Sequence, residues 1–150
     1  MRSFENITDL QAHVGQNVGI SDWITVTQER IQLFADATGD HQWIHLDAER
    51  AATGPFGTTI AHGFLTLSLL PEMSASAFKV RNTRMGVNYG LGKVRFPAPV
   101  PSGSRLRGHF MLTKYEPLDG GAQITCEVTM EREGSDKPVC VAESIARRYA

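Results

Sequence analysis

The sequence predicts an α+β fold in which a long antiparallel sheet wraps around one central apolar helix. Three observations predict it. Residues 61–78, "AHGFLTLSLLPEMSASAF", are apolar around most of a helical circumference, the mark of a buried helix. Four strand-like stretches follow in unbroken succession. Short turns rich in Gly, Pro, Ser and Asp separate them, too short for the crossovers a parallel sheet needs.

Each element has its own signal. Residues 18–26, "VGISDWITV", read as a short strand. Thr27 then caps a helix, "TQERIQLFADAT", with Gln28 and Glu29 in its first turn. Ile31, Phe34 and Ala35 recur at helical spacing, and Gly39 ends the helix. Residues 40–59 read as loop, with one helical turn near "DAERAAT" and a glycine- and proline-punctuated turn at Pro55 and Gly57. In the apolar helix, Phe64, Leu65, Leu67, Leu69, Leu70 and Met73 cover nearly every side. Pro71 falls inside it and predicts a kink or an early end.

The second half is strand. "MGVNYGLGKVRFPAPV" stops at Pro97 and Pro99. "SRLRGHFMLTKYEPL" follows. "AQITCEVTMERE" alternates, with Ile124, Cys126, Val128 and Met130 on one face. "KPVCVAESIARRYA" closes the order. The turns are "PSGS", "PLDGG" and "REGSDK". No repeat, low-complexity tract or linker interrupts the chain, so residues 1–150 read as a single domain.

Composition excludes several classes. Among 150 residues 41% are apolar and 21% charged, with a net charge of -1. That balance favours neither nucleic acid nor an anionic membrane surface. No apolar run reaches membrane-spanning length, and "MRSFENITDLQAHVG" lacks the apolar core of a signal peptide, so a cytoplasmic protein is expected. Cys126 and Cys140 lie in strands and read as buried free thiols.

Familiar catalytic motifs are missing. "GLGKVR" lacks the third glycine of a dinucleotide fingerprint, and no phosphate-binding Gly-Lys-Ser loop or Gly-x-Ser-x-Gly elbow occurs. His41 and His45 are four apart, but no Glu follows His41, and His13, His62 and His109 show no ligand-like spacing. No metal is expected.

What remains is "ATGDHQWIH", residues 37–45. Asp40 and His45 lie just beyond a helix end, and His62-Gly63 opens the apolar helix. The free N–H groups of such a helix start can receive developing negative charge. An acid/base pair beside such a start, next to an apolar interior, suits chemistry on the thioester carbonyl of an acyl chain.

These stretches carry a family resemblance. "FADATGDHQWIHLDAERA" resembles the hydratase motif of the MaoC-like dehydratases, the R-specific enoyl-CoA hydratases. "TIAHGFLTLSLL" and "NYGLGKVRFPAPVPSGSRLRG" resemble their second and third signatures. The match runs from about residue 15 to the end, nearest the branch that includes nodulation protein N. The resemblance implies a hot-dog fold, pairing of two sheets in a homodimer, an acyl-CoA substrate and no cofactor. Carried over by position, Asp40 and His45 match the catalytic dyad, and Gly63 matches the glycine whose N–H polarises the thioester carbonyl. Gln42-Trp43 stand where the family has Asn-Pro.

The implied reaction is reversible addition of water to a trans-2-enoyl-CoA, giving a (3R)-3-hydroxyacyl-CoA. The residues leave open which of Asp40 and His45 is base and which acid. Gln42, Trp43, Lys93 and Arg95 are the candidate substrate-binding residues. Lys93 and Arg95, two apart on a strand, could meet the phosphates of coenzyme A, with Arg105 and Arg107 as further candidates. His62 reads as structural. Bulk along the central helix predicts short to medium acyl chains. Two rival readings are a hot-dog thioesterase, for which Glu72 is the only acid on that helix, and a non-catalytic acyl-thioester binder.

Overall fold

The computed structural model describes residues 1–150. The chain begins with β1 (Arg2–Phe4), a 3₁₀ helix (Ile7–His13), β2 (Asn17–Ile20) and β3 (Ile24–Thr25). Five helices follow: α1 (Gln28–Thr38), α2 (Trp43–Leu46), α3 (Ala48–Ala52), α4 (Gly63–Ser68) and α5 (Leu70–Ala77). Five strands complete the chain: β4 (Phe78–Val80), β5 (Met85–Arg95), β6 (Arg105–Leu118), β7 (Gly121–Arg132) and β8 (Cys140–Tyr149).

A six-stranded sheet runs in the order β2-β6-β7-β8-β5, with β3 also pairing β6. Every pairing in it is antiparallel. A separate parallel pair, β1 and β4, ties the N-terminal segment to the end of α5. Gly120 turns β6 into β7 at φ 77°, a conformation open to glycine and costly for other residues. The sheet curls around α4 and α5, the α+β hot-dog arrangement expected. No helix is long and apolar enough to cross a membrane.

The core lies between that sheet and the helices. Ile124, Cys126, Val128 and Met130 are all buried, as the alternation in β7 predicts, and Met73 of α5 is fully buried. Cys126 and Cys140 are free and buried, and burial pushes both thiols up to about 11.

Three expectations need correction. Residues 18–26 form two short strands, because the ladder is interrupted at Ser21, whose N–H still donates to Gly108 O at 2.9 Å but whose hydroxyl takes the return bond. That hydroxyl accepts from Gly108 N at 2.8 Å and donates to Asp22 O at 2.8 Å. The central helix is broken at Leu69, which ends α4 and caps α5. Pro71 lies in the first turn of α5, where its missing N–H costs nothing. The helix is also not apolar-buried all round. Only one side of α4 packs inward, through Leu65 and Thr66, and Phe64 is 70% exposed.

Candidate active site

Helix α1 delivers the site. Thr27 Oγ1 accepts from Arg30 N at 3.1 Å at its start, and Gly39, at φ 83°, ends it as expected. Asp40 follows at once. Its Oδ1 accepts from Gln42 N at 3.3 Å, folding the chain back into α2. The sequence predicts only the turn that became α3 and leaves α2 as loop. Helix α2 has four residues and no side-chain cap, so its support is tertiary. Gln28 Nε2 donates to His45 O at 2.8 Å, Thr59 Oγ1 donates to Gln28 Oε1 at 2.7 Å, and Ile60 N donates to Ile44 O at 3.0 Å.

His45 is buried, and its Nδ1 lies 2.7 Å from Ile60 O. A carbonyl oxygen only accepts, so Nδ1 carries the proton and Nε2 of the neutral ring presents a lone pair. That Nε2 is 4.0 Å from Asp40 Oδ2, and the Asp40 side chain is half exposed. The gap is too long for a direct hydrogen bond. It fits one water bonded to both groups, which at about 2.8 Å from each would subtend an angle of about 90°.

His62 completes the cluster. Its ring stacks on that of His45, with centroids 3.8 Å apart and planes 26° apart, and packs on Phe34 at 4.9 Å. His62 Nε2 donates to Asp40 O at 3.0 Å, which ties the Asp40 loop to the start of α4. Its Nδ1 is buried without a partner. Burial pulls the pKa of His45 below its ordinary 6.5. The bond to Ile60 opposes this, His62 adds to it, and Asp40 opposes it. His45 is therefore held neutral, with a free lone pair facing a carboxylate.

Gly63 is the first residue of α4, and its N–H donates to no group of the chain. A Cβ there would come within 3.2 Å of the Phe96 ring, so the backbone passes closer to Phe96 than most side chains would allow. Phe96 follows the end of β5, which brings that strand to the site.

The other expected residues divide. The Trp43 ring packs on Gly54 and under the Arg50 guanidinium, 4.2 Å from its centroid, so it anchors the loop between α2 and α3. Gln42 caps α2 through its backbone. Lys93 and Arg95 are exposed on β5, and a register irregularity between Leu91 and Val94 takes in Lys93. Arg105 and Arg107 are engaged by Glu133 at 3.0 Å and Glu131 at 2.8 Å. Glu72 points outward to Arg30 at 2.5 Å.

His62 is the residue that spacing missed. It lies twenty-two positions from Asp40 in the chain, so only its place beside Gly63 could have pointed to it. Asp40, His45 and His62 offer metal-ligating atoms within 4.8 Å of one another. Of the three, Asp40 Oδ2 and His45 Nε2 are the pair across the 4.0 Å gap that one water fits.

Residues 9–134 match the family model described as a MaoC like domain. The 3-hydroxyacyl-thioester dehydratase Z of Mycobacterium tuberculosis (strain ATCC 25618 / H37Rv) is 60% identical over the whole of both chains. Nodulation protein N of Rhizobium leguminosarum bv. viciae is 51% identical, over 93% of this chain and 89% of that one. Among solved structures, the unliganded R-hydratase PhaJ1 from Pseudomonas aeruginosa superposes with a TM-score of 0.71. It is 26% identical and covers 91% of this chain and 81% of its own.

Proposed function

The chain belongs to the MaoC-like dehydratase family and is a hydratase/dehydratase enzyme; we propose that it is an (R)-specific enoyl-CoA hydratase whose dyad is Asp40 and His45. The observation that carries this is the gap of 4.0 Å between Asp40 Oδ2 and His45 Nε2, beside the unpartnered N–H of Gly63.

The mechanism follows from the protonation pattern. A trans-2-enoyl thioester enters with its carbonyl oxygen on Gly63 N–H. Asp40 accepts one O–H of the water and orients it. His45 Nε2 takes the other proton as the water oxygen bonds to C3. Charge moves onto the thioester oxygen, where Gly63 N–H meets it. The imidazolium, stabilised by Asp40, returns its proton to C2 on the same face. The net change is addition of one water, and the product is a (3R)-3-hydroxyacyl-CoA. The thioester is the electron sink, so no cofactor is required. Residues 1–150 act as one domain.

The departure at Gln42-Trp43 supports a binder reading only weakly, because Trp43 has its own anchoring contacts with Gly54 and Arg50. The thioesterase reading needs a free helix carboxylate, and Glu72 is paired with Arg30. Crotonyl-CoA tests all three. Loss of enoyl absorbance without thiol release is the expected result. Thiol release would mean a thioesterase, and binding with neither would mean a binder. Chiral analysis of the product checks the (3R) assignment.

We also propose a homodimer. Strand β5 is a sheet edge of eleven residues, with Met85, Val87, Tyr89 and Leu91 between 42% and 56% exposed. A long, bare, apolar edge invites pairing, and a second copy of the same edge satisfies it. Sedimentation at micromolar concentration should give a dimer, and a stable monomer would count against it.

A further inference from the structure

The inner face of the sheet is not filled evenly. In β8, Ala142, Ser144, Ala146 and Arg148 stand opposite Val128, Cys126, Ile124 and Ala122 of β7. In β5, Gly86 faces Arg148 and Asn88 faces Ala146. Small residues on two adjacent strands leave space beneath α5. An open cavity of about 560 Å³ lies there, roofed by Leu70, Pro71, Ser74 and Phe78. Small residues of the sheet open this space, while Leu70, Pro71 and Phe78 of the helix side bound it.

The cavity holds a cation without a counter-charge. Arg148 is half-buried, donates one hydrogen bond, to Ser74 Oγ at 3.3 Å, and lies over Phe78 at 4.9 Å. A guanidinium has five N–H donors. Arg105 and Arg107 have glutamates, but no acidic side chain lines this cavity, and Lys79 adds a second positive charge to it. Burial pulls the Arg148 pKa below the usual arginine range, the direction expected of a cation removed from water. Leaving such a group unpaired costs free energy that an anion would offset.

The cavity lies further along the central helices from the proposed active site. Gly63 starts α4, which packs against β8, and Ser74 lies eleven residues further on, in α5, past the break at Leu69. At 1.5 Å per residue that is at most about 16 Å. An acyl chain held at Gly63 and laid between the helices and β8 would end near Arg148.

We propose that this cavity takes the distal part of an acyl chain bearing a carboxylate at its far end, which pairs with the Arg148 guanidinium. This rests on the thioester hydratase reading. A planar carboxylate matches the guanidinium fork in two parallel hydrogen bonds, and Asn88 and Ser144 supply further polar groups along the wall.

The test compares enoyl-CoA substrates of equal, medium length with and without a terminal carboxylate, using wild type, Arg148→Met and Arg148→Lys, with crotonyl-CoA as the short reference. Wild type should favour the carboxylate substrate in kcat/KM by about 10- to 100-fold. Arg148→Met should lose that preference and keep crotonyl-CoA hydration, while Arg148→Lys should keep part of it. No preference in wild type, or one that survives in Arg148→Met, overturns the proposal. If crotonyl-CoA is not hydrated at all, the parent reading fails by itself. Calorimetry with dodecanedioate against laurate then decides the anion site. Tighter binding of the diacid that is lost in Arg148→Met supports the site, and equal binding ends it. Should Arg148→Met fail to fold, the wild-type preference and Arg148→Lys still decide.

Discussion

The packed core and the loop cluster use burial for opposite ends. In the core, Leu112, Val128 and Met130 are fully buried, and their removal from water contributes stability. In the cluster, His45 and His62 are almost as deeply buried, yet they are polar. Each spends one ring nitrogen on a carbonyl, Ile60 O or Asp40 O, and keeps the other free. There the bonds to the carbonyls set which ring nitrogen carries the proton, and burial favours the neutral ring of His45. If this contrast is sound, substitutions in one region should change turnover and in the other stability, with little exchange between them.

The largest expected effect is in the dyad. Asp40→Asn keeps shape but loses the carboxylate charge that orients the water and stabilises the imidazolium, and His45→Gln keeps a donor for Ile60 O but loses the ring. Each should lower kcat by about 10²–10⁴-fold. The double variant should be scarcely worse than either single one, because groups sharing one water act as a unit. Melting temperature should move little. Crotonyl-CoA hydration and melting measured on the same preparations check this. A well-folded Asp40→Asn with wild-type kcat would end the case for the site.

The core should show the converse. Leu112→Ala should cost about 2–5 kcal/mol of stability, by denaturant titration, through lost burial and a cavity. Turnover per folded molecule should hold. A fall in kcat matching that of a dyad variant would show that the two regions are one unit.

Much of this contrast was legible in the sequence. Period-two apolar positions in "AQITCEVTMERE" mark the face of β7 that is buried, and Thr27 and Gly39 mark both ends of α1, because alternation and capping are local. Asp40 and His45 stand out by residue type in a short stretch, and Gly63 by its place at the start of the apolar helix. Long-range features were not legible. Helix α2 exists because Gln28 and Ile60 hold it, and the stacking of His62 on His45 joins two segments of the chain. The pairing of Arg105 and Arg107 with glutamates across the β6–β7 ladder needs the register. The cavity under α5 depends on small residues from two strands facing one helix, which no single stretch reveals.

A smaller effect should come from His62, which we read as a positioning residue. His62→Phe keeps the stack on His45 and loses the bond to Asp40 O. Losing that bond should cost up to about tenfold in kcat, through the placement of Asp40. Because His62 also helps pull the His45 pKa down, the acid limb of the pH profile should move up in this variant. A purely structural role would change stability and leave that limb in place.

The smallest effect, and the most specific, is the pH dependence of His45 itself. Burial holds its pKa in the folded protein below the ordinary 6.5. As pH falls through 6.5 the unfolded chain binds a proton at this position and the folded protein does not. Folding stability from this group is thus complete above 6.5 and lost as pH falls from 6.5 towards the folded value. The carboxylates with lowered pKa, Asp36 and Glu131, act in a more acid window, below their ordinary 3.8 and 4.5, where their contribution is lost as they protonate. Turnover depends only on the folded-state titration, so kcat/KM should stay flat after stability has begun to fall and drop only at lower pH. His45→Gln removes one of the two trends cleanly. The stability of wild type relative to His45→Gln should fall as pH is lowered from 7, in denaturant titrations at each pH. A difference that stays constant across that range would mean that His45 titrates like an exposed histidine, and burial would then not be what keeps its lone pair free.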